Sequence, residues 1–81
     1  MYYFITELQT RPDGVVNSTL TTRSSFGSGL SFYYNRAAAA AGSTDFPSVA
    51  LTLQDQDGNI IKNEQIPTSY VAPNEPTFDE E

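Results

Sequence analysis

A chain of 81 residues with ten acids, four bases and a net charge of −6 is sized for one small domain and excludes a second independent core. It contains no cysteine and no histidine, which excludes disulfides and the usual zinc ligands as sources of stability. Burial at ~25 cal/mol per Å² barely offsets ~1.5 kcal/mol per ordered residue at this size, so a protein partner, including another copy of the chain, is the expected staple.

The bases Arg11, Arg23, Arg36 and Lys62 are scattered, which argues against direct nucleic-acid binding through a phosphate-neutralising patch. No apolar run approaches the ~20 residues of a membrane span. Met1 to Glu7 has neither a basic start nor an apolar stretch of adequate length, so no signal peptide and no membrane association are expected. Without a secretory signal, the acceptor-like Asn17-Ser18-Thr19 reads as ordinary strand or loop sequence.

Tyr2 to Thr10 alternates as a strand, with Tyr2, Phe4, Thr6 and Leu8 on one face and Tyr3, Ile5, Glu7 and Gln9 on the other. Arg11-Pro12-Asp13-Gly14 fits a type I turn followed by a bulge, because proline presets φ at the second position and glycine accepts positive φ at the fourth. Val15 to Thr22 returns as a second strand whose Asn17, Ser18 and threonines suit an edge with one wet face.

The middle of the chain predicts a helix. Phe26, Leu30, Tyr33, Tyr34, Ala37, Ala38 and Ala41 recur at spacings of three and four, and an alanine run has the highest intrinsic helix propensity. Ser24, Ser25 or Ser28 is the candidate cap, Gly42 the candidate left-handed terminator, and Gly27 and Gly29 delay the expected regular start to near Ser28. The small alanine side chains allow close approach to a sheet.

After a connection through Ser43 to Pro47, Ser48 to Gln54 alternates with Val49, Leu51 and Leu53 on one face, the clearest strand signal in the chain. Asp57-Gly58 turns it, and Asn59 to Ile66 returns with Ile60, Lys62 and Glu64 opposite Ile61. Leu8 to Val16 and Leu53 to Ile61 are rough copies of one another, each centred on Asp-Gly. The expected architecture is therefore α+β, in the order β-β-α-β-β: a four-stranded, mainly antiparallel sheet with one helix across a face. Residues 1–66 form the expected domain, and 67–81 read as a proline-rich acidic tail, mobile in the free protein. One helix covers part of such a sheet, so aromatic residues of the other face, with Tyr3 as the example, are expected to be available to a partner.

Among candidate sites, Asp55-Gln56-Asp57-Gly58-Asn59 spaces oxygen ligands alternately. It nevertheless lacks the glycine and bidentate glutamate of a calcium loop, since Ile60 and Ile66 stand in those places. No metal and no cofactor are therefore expected. Ser25, Gly27, Ser28 and Gly29 at the helix start form the candidate anion site, where backbone N–H groups would meet a phosphate. Serines and threonines without histidine or cysteine give no nucleophile assembly, and the acids Glu7, Asp13, Asp45, Asp55, Asp57 and Glu64 read as turn or solvated-strand residues. No catalytic residue is assigned, and the chain reads as a non-enzyme. In the tail, Tyr70, Val71 and Phe78 are candidate anchors for a protein groove, with Asp79, Glu80 and Glu81 meeting basic residues there.

Tyr2 to Thr10, the Asp13-Gly14 turn, Tyr33-Tyr34 running into Ala37 to Ala41, and Val49 to Glu64 with Asp57-Gly58 together resemble small phage and prophage proteins of Gram-positive bacteria. The resemblance spans about residues 2–65. It implies a virion or phage-accessory role, because such proteins are often encoded near tail and late genes. Members commonly carry acidic residues at the helix start and a histidine after the helix tyrosine. Here Ser24, Ser25, Gly27 and Asn35 occupy those regions, so no role of that histidine is carried over. The expected function is a non-enzymatic interaction module of a phage or prophage, a virion or tail accessory subunit, located in the virion or the host cytoplasm. The alternative is an inhibitor that binds a host defence protein or sequesters a signalling nucleotide.

Overall fold

The two most apolar strands occupy the middle of the sheet. A computed structural model describes residues 1–71, in which β1 (Tyr3–Thr10), β2 (Val16–Arg23), α1 (Phe26–Ala41), β3 (Ser48–Asp55) and β4 (Ile60–Ile66) follow in chain order. The strands lie in the order β2-β1-β3-β4, and every neighbouring pair is antiparallel. The β-β-α-β-β reading thus describes the molecule, with α1 lying across one face of a four-stranded sheet.

Both hairpins close in the same way. In the first, Gly14 N–H donates to Arg11 O at 2.9 Å and Arg11 N–H to Val15 O at 2.8 Å. In the second, Gly58 N–H donates to Asp55 O at 3.1 Å and Asp55 N–H to Asn59 O at 3.0 Å. Gly14 (φ +92°) and Gly58 (φ +89°) hold the left-handed position that this turn-plus-bulge requires. The turns therefore align on their glycines, setting Thr10 against Val16 and Gln54 against Ile60. This moves the match one residue from the leucine-based alignment of the sequence copies.

Beyond the turns the hairpins diverge. β2 pairs with β1 in unbroken register, whereas β4 shifts register beside Gln54. The shift leaves Ile61 as an extra residue, and Ile60 and Lys62 fall on opposite faces instead of sharing one as the alternation suggested.

Ile5, Val49, Leu51 and Leu53 from the sheet and Tyr33 and Ala40 from the helix form the buried core. The inward stripe of α1 is Gly29, Tyr33 and Ala40. Phe26 and Tyr34, expected inside, are about half exposed, and Ala38 and Ala41 are exposed with them, because the helix turns Gly29, Tyr33 and Ala40 toward the sheet. At Gly29 a Cβ would lie 3.2 Å from Tyr3 Cβ and 3.5 Å from Leu53 Cδ1, so glycine sets the closeness of the crossing. The helix starts at Phe26, ahead of the expected position, and the close packing accounts for the second of its two early glycines. Ser25 caps it, its Oγ accepting Ser28 N–H at 3.2 Å.

Gly42 ends α1 with φ −89° and ψ 0°, a right-handed conformation in place of the expected left-handed one. Gly42 N–H and Ser43 N–H close the last turn onto Ala38 O and Ala40 O, and the chain beyond β4 adds to it. Ser69 N–H donates to Ser43 O at 2.9 Å and Ser69 Oγ to Ala41 O at 2.7 Å, satisfying a carbonyl that a helix end leaves open. Structure tied to the domain thus extends past the expected boundary at residue 66.

Candidate interaction surface

Side chains alternate across a strand, so the register separates the sheet into two faces of different chemistry. The helix side carries the core residues and also every charged strand residue: Glu7, Arg23, Asp55, Lys62 and Glu64. Four of these contact α1. Glu7 receives Arg36 Nε at 2.7 Å on Oε1 and Arg36 Nη2 at 3.0 Å on Oε2. Glu64 Oε1 accepts the Tyr33 hydroxyl at 2.5 Å. Arg23 stacks 4.6 Å from the Phe32 ring centroid, and Lys62 lies 5.5 Å from that of Tyr34. The strands hold the helix partly by their charges.

Glu7 is the one buried charged residue among the described residues, at 6% exposure. Its sequence position gave a solvated strand face; the structure places it beneath α1, where burial is tolerable because the carboxylate is matched by a bidentate guanidinium. Gln9 Nε2 adds a third donor at 2.6 Å. The Arg36 hydrogen bond holds the Glu7 carboxyl below its ordinary value of 4.5 despite the opposing effect of burial, and the same contact raises Arg36. A carboxylate so engaged is a weak proton acceptor, and the cluster reads as helix anchorage. It borders a 210 Å³ groove between α1 and β2, whose far wall is Thr19 and Thr21.

Tyr33 is fully buried, and burial, followed by its bond to Glu64, raises its hydroxyl above the ordinary tyrosine value. Asp55 closes the second turn by accepting Asn59 Nδ2 at 3.1 Å and the backbone N–H groups of Asn59 and Asp57 at 2.9 and 3.0 Å. Those bonds, led by the Asn59 side chain, lower its carboxyl. The oxygen spacing that suggested calcium therefore serves the turn.

The opposite face has no covering element among the described residues. Its cross-strand rows are Thr22-Phe4-Gln54-Ile60, Leu20-Thr6-Thr52-Asn63, Ser18-Leu8-Ala50-Gln65 and Val16-Thr10-Ser48. None of these residues is charged, in a chain with fourteen charged side chains. Leu20 is 64% exposed, Ile60 60% and Val16 53%. Hydroxyls and amides occupy the spaces between, with Thr52 Oγ1 donating to Asn63 Oδ1 at 3.3 Å and Gln65 Nε2 to Ser48 Oγ at 3.1 Å. Such a face loses little solvation on contact, since the costly step of desolvating an ion is absent.

The residues singled out from sequence fall elsewhere. Tyr3 lies on the helix side, edge-on to Phe26 with ring centroids 5.7 Å apart, and is corrected from partner residue to packing residue. The open-face aromatic is Phe4. The strand alternation separated these two residues correctly, but the side that the helix covers was not legible from β1 alone. At the helix start, Ser25 is used as the cap and Gly29 is buried against Tyr3, leaving Gly27 and Ser28 exposed. Tyr70 is half-buried and Val71 exposed, while Phe78, Asp79, Glu80 and Glu81 lie outside the described residues.

No helix among the described residues is long and apolar enough to cross a membrane. The fold and surface together define an α+β sheet protein with one helix-clasped face and one charge-free face. No family model, curated protein or solved structure matches the chain.

Proposed function

We propose that this protein is a non-enzymatic interaction module of a phage or prophage, acting as a virion or tail accessory subunit. The observation that carries the interaction role is the sheet face opposite α1, which among the described residues has no covering element and whose strands present Phe4, Leu8, Val16, Leu20 and Ile60 without a charged side chain. Apolar groups spaced by hydroxyls and amides, with no ion to desolvate, suit a protein surface. The phage setting is supported by the resemblance of residues 2–65 described above.

Mass spectrometry of purified particles tests the reading: the chain is expected at stoichiometric abundance, and Thr52→Lys, at the centre of the open face, is expected to deplete it. Absence of the wild-type chain from particles removes the virion role. Recovery of one stoichiometric host protein on the same face would instead favour the inhibitor of host defence.

A further inference from the structure

The sheet has two edges, β2 and β4, and the sequence treats them differently. β4 carries Lys62 and Glu64 and a register shift near its start, three features that discourage pairing with another chain. β2 has none between Val16 and Thr22: no charge, no proline, and no break in register against β1.

The turn sets the hydrogen-bond phase of this edge. Arg11 and Val15 are a bonded pair, so alternation along the ladder directs Asn17, Thr19 and Thr21 to β1. It turns the N–H and C=O groups of Val16, Ser18, Leu20 and Thr22 outward. Those four residues also have their side chains on the open face, where Val16 and Leu20 are more than half exposed.

We propose that a second copy of this chain pairs antiparallel along β2, about a two-fold axis at Thr19, joining two four-stranded sheets into one. Centring on Thr19 sets Val16 opposite Thr22 and Ser18 opposite Leu20, so every outward backbone group of the four residues gains a partner. A one-residue shift opposes side chains of different faces. Centring on Leu20 sends Val16 past the strand end at Arg23. In the Thr19 register, Leu20 lies diagonal to Leu20 and Val16 of the second copy, within reach for side-chain contact. Arg23 falls opposite Val15, so no like charges meet. The outward bonding pattern is symmetric about Thr19 and uncharged, which makes the edge complementary to itself despite the net charge of −6. This pairing runs through the β2 edge and is independent of any contact made by the centre of the open face.

The full chain supplies the test, because it contains no cysteine of its own. In the proposed register the two Thr19 Cα atoms stand ~4.5 Å apart as a non-bonded pair, within disulfide range. Thr19→Cys under mild oxidation is therefore expected to collect as a covalent dimer, whereas Asn63→Cys on β4 stays a monomer. Light scattering is expected to give wild type at twice the 8.9 kDa chain mass. Ser18→Pro should give the single-chain mass with an unchanged circular dichroism spectrum, since its N–H points away from β1 and bonds nothing among the described residues. If Ser18→Pro unfolds, Leu20→Lys replaces it, placing ammonium groups near each other across the seam, again with a monomer expected. A monomeric wild type at millimolar concentration overturns the proposal, as does equal cross-linking through Thr19→Cys and Asn63→Cys. A dimer split by Thr52→Lys but not by the edge variants indicates face-to-face packing and also overturns it.

Discussion

The two faces of this sheet share one backbone and differ most in charge. On the helix side, Glu7, Arg23, Lys62 and Glu64 each meet a side chain of α1; on the other side none of the strand residues is charged. A single helix with a narrow inward stripe buries modest area, and one ion pair, two cation–ring contacts and a tyrosine hydrogen bond supplement it. Charges so used are positioning groups. The absence of charge opposite them is the feature that points outward, because a small acidic domain with a solvated second face would ordinarily place some of its charged residues there.

Substitutions on the two faces should separate them sharply. Leu51, fully buried under the helix, is expected to cost about 2–5 kcal/mol as Leu51→Ala, most of the stability of a domain this size. Leu20→Ala on the open face should stay within about 0.5 kcal/mol in the monomer. Urea midpoints of both variants check the contrast, and a large loss at Leu20 in dilute protein would break it. Arg36→Ala strands the buried Glu7 carboxylate. Its expected cost is about 1–3 kcal/mol, below that of a fully buried pair because Arg36 remains partly in solvent.

The Glu7 pair also sets an acid window. Its folded carboxyl is held below the ordinary value of 4.5, so its contribution is present above the unfolded pKa and lost as pH falls through the folded one. The urea midpoint should therefore drop on acidification below about pH 4.5, and Glu7→Gln should flatten that drop while lowering stability at neutral pH. Asp55 is held low as well, so the difference between the wild-type and Glu7→Gln curves isolates the buried pair.

A smaller effect sharpens the account of the helix crossing. A Cβ at Gly27 meets nothing within 4 Å, whereas one at Gly29 meets Tyr3 Cβ at 3.2 Å. Gly27→Ala is expected to raise stability by about 0.5–1 kcal/mol from helix propensity. Gly29→Ala should lose that gain to crowding against Tyr3, and thermal melts of the two variants compare them directly.

Much of this architecture was legible in the sequence. The alternation of Val49, Leu51 and Leu53, the two Asp-Gly turns and the alanine run identified the strands and the helix, because each signal is local. What escaped depended on contacts between distant residues. Glu7 looked solvated because its partner, Arg36, lies 29 residues away. Tyr3 and Phe4 exchanged expected roles because only the helix crossing decides which face of β1 is covered. The bulge beside Ile61 moved Lys62 and Glu64 to the helix side, and the Ile60-Ile61 doublet next to a turn was its one sequence signal. The charge-free face emerges only when all four strands are set in register.

The most direct test of the central claim places a charge in the middle of that face. Thr52→Lys should keep the wild-type urea midpoint to within about 1 kcal/mol while its abundance in purified particles, measured against wild type, falls at least tenfold. Wild-type abundance of the lysine variant in particles would contradict the claim that the uncharged face is the contact surface.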